Sequence, residues 1–258
     1  MEDEQLLGIF NNQIRKGPAP IGYRKEVSPN TVRHISTTGE KGFISYSSLQ
    51  EGNVESVIKE EIEYFKRMKQ SFEWKVYSYD QPKELKEILL NKGFKVDEEE
   101  ALMVISLEQH HSFLDYPLPN ELKEITDKFG IDKIVQLENE IWNESHEELG
   151  MRLWRDKQTY PNSLYLYGVY QEERLVSAAW IYLETDTSFA SLWGGSTLSP
   201  YRGRGYYTAL LAARARKALE KGHRYLTVDA STMSRPILEK AGFHCLAFSY
   251  GCQSPTFT

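Results

Sequence analysis

Arg202-Gly203-Arg204-Gly205 places two guanidinium groups and two glycines within one short stretch, directly ahead of an alanine-rich amphipathic run. Upstream, Phe189 to Thr197 reads as a strand, and Thr208 to Lys221 reads as a helix. The first N–H groups of such a helix lack intrahelical partners, and its dipole adds partial positive charge there. Glycine lets backbone approach a ligand closely, and arginine forks onto phosphate oxygens. The chemistry this spacing supports is an anion cradle for a phosphate or pyrophosphate. A nucleic-acid reading fails on charge. With 37 acidic against 31 basic residues the chain lacks the basic footprint that a phosphate backbone needs.

Other chemistries find less support. His146-Glu147-Glu148-Leu149-Gly150 begins like a zinc-protease helix, but Gly150 stands where the second histidine is needed, and no metal site is expected. His110 and His111 are adjacent, so an extended backbone turns them to opposite sides. Gly194-Gly195-Ser196-Thr197-Leu198 lacks the closing glycine of a nucleophile elbow, which leaves Ser196 as a strand residue. Cys245 and Cys252 are the only cysteines, read as free thiols in a terminal β-like segment.

The loop with its lead-in Leu198, Pro200 and Tyr201 resembles the acyl-CoA pyrophosphate loop of the GNAT acetyltransferase superfamily. Arg202 and Gly205 fit the pattern, whereas Tyr207 stands where a small residue is usual and its ring must turn away from the cofactor. A second hallmark follows in order: the strand Tyr225 to Asp229, then Ser234 to Ala241 as a helix closed by Gly242-Phe243. The resemblance covers residues 118 to 258 and implies a mixed α/β (α+β) GNAT-like fold.

Two copies of the same order of elements are visible along the chain. Shifted by the interval from Gly93 to Gly242, Gly93-Phe94 falls on Gly242-Phe243, Ile88-Leu89 on Ile237-Leu238, Asp80 on Asp229 and Leu49 on Leu198. The expected architecture is therefore two tandem GNAT-like domains, a degenerate one over 1–115 and an acetyltransferase domain over 116–258. The segment Asp115 to Asn120, with two prolines, is the expected linker. At the same shift Arg202-Gly203-Arg204-Gly205 becomes Asn53-Val54-Glu55-Ser56, so the first half has lost the cradle and supplies its own anion in Glu55. The stripe Leu6, Leu7, Phe10 and Ile14 reads as a helix on that half, ended near Gly17. In the second half Ile131, Ile134, Val135, Glu138 and Ile141 have helical spacing, and Leu164 to Tyr170 and Leu175 to Leu183 read as strands.

The resemblance implies an N-acetyltransferase in which a primary amine of a small molecule or peptide attacks acetyl-CoA directly in a ternary complex. It implies cofactor contacts from Leu198, Arg202, Gly203, Arg204, Gly205, Tyr206, Tyr207 and Thr208, with Ser234 near the cofactor arm. The Leu198 N–H is the expected oxyanion donor. An alkylamine of pKa about 10.4 needs roughly 4–5 kcal/mol to lose its proton at pH 7, so a base is called for. No base is evident: Leu192 and Trp193 occupy the stretch where relatives carry a glutamate, and the acidic cluster Glu144, Glu147 and Glu148 reads better as a solvated face. Leu238 replaces the usual acid, leaving Tyr250 as the candidate. These gaps keep an alternative open, a non-catalytic acyl-CoA-binding regulatory or interaction module.

At 258 residues, 40% hydrophobic and 26% charged, the composition is that of a globular protein. No apolar run approaches the roughly 20 residues that span a bilayer. The acidic start MEDEQLLGIF lacks the basic and apolar regions of a secretory signal. A cytoplasmic protein that engages neither membrane nor nucleic acid is expected, and a homodimer is among the expected assemblies.

Overall fold

The computed structural model describes residues 2–257. Helix α1 (Glu2–Phe10) runs on into a π-helical turn over Asn11–Arg15. Strands β1 (Tyr23–Val27), β2 (Thr31–Ser36) and β3 (Gly42–Ser47) lead to α2 (Val54–Arg67) and β4 (Phe72–Tyr77). Helix α3 (Leu85–Asn91) then leads to β5 (Lys95–Val96) and β6 (Glu100–Ser106). A 3-10 turn at Ser112–Asp115 precedes β7 (Leu122–Ile125), α4 (Lys128–Trp142) and α5 (Glu147–Thr159). Three strands follow, β8 (Leu164–Gln171), β9 (Arg174–Leu183) and β10 (Phe189–Thr197). The chain ends through α6 (Tyr206–Glu220), β11 (Tyr225–Ala230), α7 (Arg235–Lys240) and β12 (His244–Gln253). Among the described residues no helix is long and apolar enough to cross a membrane.

The chain forms two compact units, the residues up to 104 together with those from 229 on, and residues 105–228. In the first, the strand order is β1-β2-β3-β4-β12-β6, with β5 on the end of β12. Strands β3 and β4 run parallel, joined by the α2 crossover, from Gly42 opposite Phe72 to Ile44 opposite Trp74. The alternation of Phe72, Trp74 and Val76 sends those side chains to one face, where they meet Val57, Ile58 and Phe65 of α2 and Leu85 and Leu89 of α3. Phe65 stacks on Phe72 with ring centroids 4.2 Å apart. The Arg15 guanidinium is buried and forks onto both Asp80 oxygens at 2.8 Å, so a charge taken from water is matched by a carboxylate of its own unit.

Strand β12 lies between β4 and β6, antiparallel to both, from Ser249 opposite Tyr77 to Gln253 opposite Glu73 and from His244 opposite Val104 to Ser249 opposite Glu100. Cys252, on this strand, is fully buried in the core of the first unit, and Cys245 is half-buried; both thiols are free. The residues beyond 228, expected with the second half, thus group with the first unit. Their β-like pattern is visible in the sequence, but nothing local marks which strand accepts them. Residues 114–116, expected as linker, are held within the second unit: Arg216 of α6 donates to the carbonyls of Leu114 at 2.8 Å and Tyr116 at 2.7 Å.

In the second unit the order is β11-β10-β9-β8-β7. β7 to β10 form an antiparallel meander, and α6 lies on β8, β9 and β10 while α4 lies on β9 and β10. Helix α6 buries Ala209, Ala212, Ala213, Ala215 and Ala218, small residues that let its backbone sit close to the strands. Strand, helix, strand and helix recur in the same order as β3-α2-β4-α3 and β10-α6-β11-α7, each with one parallel pair, which is the tandem repeat expected from the sequence.

Candidate active site

The loop expected to hold the cofactor forms the turn between β10 and α6. A 3-10 turn at Ser199–Tyr201 redirects the chain, and Gly203 and Gly205 take φ of +74° and +79°, the left-handed region that favours glycine. Gly205 is also held by space: a β-carbon there would lie 2.1 Å from the Tyr116 hydroxyl oxygen. The first hydrogen bond of the helix is Ala209 N–H to the Gly205 carbonyl at 3.0 Å. From Gly203 to Thr208 no backbone N–H has a partner among the described residues. Arg202 and Arg204 are exposed and have no carboxylate partner among the described residues; Arg202 donates to the Thr197 carbonyl at 3.0 Å and Arg204 to the Pro200 carbonyl at 3.2 Å. A patch of free N–H groups, a helix dipole and two uncompensated cations converge on one turn.

The matching turn of the first unit keeps fewer N–H groups free. The N–H groups of Asn53 and Val54 both donate to the Gln50 carbonyl at 3.0 Å, and the Gln50 N–H donates to the Asn53 side chain at 2.8 Å. Glu55, at the start of α2, pairs with Lys92. The loss read from Val54 and Glu55 is therefore a loss of free donors as well as of arginines.

Strands β10 and β11 pair only from Phe189 opposite Tyr225 to Ser191 opposite Thr227, and beyond Ser191 that edge of β10 is open within this unit. Toward β9 the pairing continues to Thr197 opposite Ser177, through a bulge between Gly194 and Ser196. Gly194 and Gly195 carry the bulge at φ of +69° and +100°. A β-carbon on Gly195 would sit 3.0 Å from the Tyr207 ring, so that ring lies over the bulge. Burial raises the Tyr207 phenol, with Arg214 pulling the other way.

The bulge overturns one expectation. The Leu198 N–H, the expected oxyanion donor, donates to the Val176 carbonyl at 3.0 Å and faces β9. Alternation along the strand then turns the backbone of Thr197 to the open edge, where its carbonyl accepts from Arg202. Only the position of the bulge decides which residue faces out. The consecutive glycines were the available signal.

Two more expected residues fall in the other unit. Ser234, at the start of α7, has its hydroxyl on the Ser231 carbonyl at 3.3 Å. Tyr250, on β12, donates to Glu99 and lies under the Lys86 ammonium at 4.3 Å. That hydrogen bond and burial push its phenol up to about 12, which counts against it as the acid expected from the sequence. Tyr206 is in the loop helix, its hydroxyl accepting from Gln171 at 3.0 Å. Glu147 and Glu148 lie at the exposed start of α5, and Leu238 is buried.

The residue missed from the sequence is Glu138. It continues the apolar stripe of Ile131 and Ile134 on α4 and is 4% exposed. Its Oε2 accepts from the Ser196 hydroxyl and from the Trp142 indole, both at 2.9 Å. Its Oε1 is buried with no partner among the described residues. Burial raises its carboxyl above the usual range; the two donors and His146 act in the opposite direction. A charged residue within a stripe of isoleucines was the signal in the sequence, and Ser196, read as a plain strand residue, is its partner.

Residues 131–243 match the model of the acetyltransferase (GNAT) family. No curated protein matches the chain. Among solved structures, a GCN5-related N-acetyltransferase from Kribbella flavida aligns over 98% of this chain and 94% of its own, with TM-score 0.65 and 12% identity. A tandem GNAT protein from the clavulanic acid biosynthesis pathway aligns over 92% and 84%, with TM-score 0.62 and 11% identity. A GCN5-related N-acetyltransferase from Sphaerobacter thermophilus aligns over 99% and 88%, with TM-score 0.57 and 14% identity. At these identities the likeness is one of fold, and it extends over both halves of the chain.

Proposed function

We propose that the protein transfers the acetyl group of acetyl-CoA to a primary amine of a small molecule or peptide, by direct attack within a ternary complex. The observation that carries this is the run of unpartnered N–H groups from Gly203 to Thr208, with the uncompensated Arg202 just ahead of it and Arg204 within it, in a region that matches the acetyltransferase family. The pyrophosphate would take those N–H groups, with Arg202 and Arg204 beside it. The acyl arm would run along the open edge of β10, where the Thr197 N–H replaces that of Leu198 as the donor to the thioester oxygen. One such donor contributes about 3 kcal/mol to an oxyanion transition state. The amine nitrogen forms the bond to the acyl carbon, the carbon–sulfur bond breaks, and CoA leaves as thiolate. A thiol of pKa about 8.5 is a workable leaving group near neutral pH without a dedicated acid.

Calorimetric titration with acetyl-CoA tests the cradle. One site per chain is expected, since the turn at Asn53 has fewer free donors, no arginine and a carboxylate in Glu55. Arg204→Glu replaces attraction by repulsion beside a pyrophosphate and should weaken binding well over tenfold. Unchanged affinity in a folded Arg204→Glu protein would make the loop a structural turn. CoA release on adding an amine then separates transfer from the alternative, a binding module without turnover.

A further inference from the structure

We propose that Glu138, acting through the Ser196 hydroxyl, takes up the proton that the acceptor amine must lose. The inference rests on the acetyl-transfer reading and assigns the base that the sequence left unnamed. Three observations converge on it. The double-glycine bulge of β10 turns Ser196 toward α4, where its hydroxyl donates to Glu138 Oε2 at 2.9 Å. Ser196 is half-buried, so the oxygen of its hydroxyl keeps lone pairs for a donor arriving from outside. It directly precedes Thr197, the residue whose backbone faces the open edge along which the acyl group would lie. A nucleophile reaching an acyl carbon at that edge therefore arrives beside Ser196.

Glu138 is built as a base rather than as a structural anion. The large majority of buried carboxylate oxygens have a hydrogen-bond partner. Here Oε2 has two donors and Oε1 is buried with none among the described residues. Half of the charge is stabilised and half is not, which favours accepting a proton. The main packing on α4 comes from α5, β9 and β10, with Ile125 of β7 against Gly130 in its first turn. The groups acting on Glu138 are Ser196 of β10, Trp142 of α4 itself and, ahead of α5, His146; no titratable group of β9 acts on it. Glu138 thus has no lysine or arginine that would hold it ionised.

The proton balance closes. The ammonium gives one proton to Ser196 Oγ as Ser196 passes its own to Glu138 Oε2, leaving a free amine and a neutral carboxylic acid. The amine attacks, the carbon–sulfur bond breaks, and the second proton lost by nitrogen neutralises the CoA thiolate. Glu138 then returns its proton to solvent through Ser196. No oxidant or metal is required.

The test measures CoA release from acetyl-CoA with n-butylamine, spermidine and a lysine-containing hexapeptide, and follows the best of the three across pH. In the unaltered protein kcat should rise as Glu138 ionises and then level off. Glu138→Gln keeps an oxygen for Ser196 and Trp142 but cannot take a proton. It should lower kcat at pH 7 by about 100-fold or more. It should also move the rising limb up toward the amine's own pKa, with acetyl-CoA affinity by calorimetry unchanged. Ser196→Ala should act likewise and Ser196→Thr should restore most of the rate, a pattern that loss of packing does not produce. A folded Glu138→Gln protein with unaltered kcat and pH profile would overturn the relay while leaving acetyl transfer intact. If Glu138→Gln fails to fold, full activity in Ser196→Ala overturns it equally. Acetyl-CoA binding with no turnover of any of the three amines would instead overturn the transfer reading, and the relay with it.

Discussion

Gly205 and Gly203 look equivalent in the sequence and are not equivalent in the structure. Both have positive φ, so any side chain costs about 1–2 kcal/mol of backbone strain at either. Around Gly203 a β-carbon meets nothing within 4 Å, whereas at Gly205 it meets the Tyr116 hydroxyl oxygen at 2.1 Å. Gly203→Ala should therefore cost only the backbone strain. Gly205→Ala must also displace Tyr116, whose carbonyl is held by Arg216, and should unfold several degrees lower and bind acetyl-CoA more weakly than Gly203→Ala. Differential scanning calorimetry on the two variants reads the contrast. Equal losses would mean that Tyr116 yields freely. The turn these loop residues make is legible in their types alone, because two glycines between a strand and a helix mark a backbone that takes positive φ. The contact with Tyr116 is not, since it joins residues far apart in sequence through a segment that reads as linker.

Helix α6 and the strand it follows are held in register by Arg214, buried beneath the helix with no carboxylate partner among the described residues. Its guanidinium donates to the carbonyls of Trp180 at 3.3 Å and Trp193 at 3.1 Å, on β9 and β10, and to Leu210 at 3.1 Å. Burial, the largest influence, pulls its pKa down to about 10 from 12.5, with Tyr207 and Tyr167 opposing. The sign is that of a cost: a base with a lowered pKa folds at the expense of its charged form. That cost is fully present at neutral pH and fades only as pH rises above 10. It amounts to about 3 kcal/mol. Arg214→Met removes it but leaves two strand carbonyls short of donors, at about 1–3 kcal/mol each. The two nearly cancel, so the melting temperature should move by only a few degrees. Acetyl-CoA affinity should fall several-fold, because nothing then fixes β10 against α6 beside the open edge. A large drop in melting temperature, or unchanged affinity, would show that Arg214 serves packing alone. Periodicity revealed α6, β8, β9 and β10 to within a residue or two. It could not reveal the role of Arg214, because an arginine in an alanine-rich helix looks solvated until the strands beneath it are placed.

The largest departure from the sequence reading lies in how the chain closes. A cut at residue 115 yields a fragment with every element of the first half, yet the first unit is incomplete without β12 from the end of the chain. That strand fills the space between β4 and β6, and Cys252 is wholly buried among Trp74, Phe72 and Phe94. Hydrophobic pattern showed a terminal strand, but long-range pairing carries no local signature, so the repeat suggested two self-contained halves. The structure makes a different prediction. A chain ending after Phe243 retains α7 and the cofactor loop and loses only the last strand and tail. It should leave β4 and β6 with open edges in the middle of their sheet, and Phe72 and Trp74 exposed. Domain stabilities of about 5–15 kcal/mol do not survive the loss of a central strand. Hydrogen exchange on this truncated chain should show protection lost across Phe72–Tyr77 and residues 100–104. Native protection there would mean that the first unit closes by itself, and that the last strand is an accessory to a complete first half.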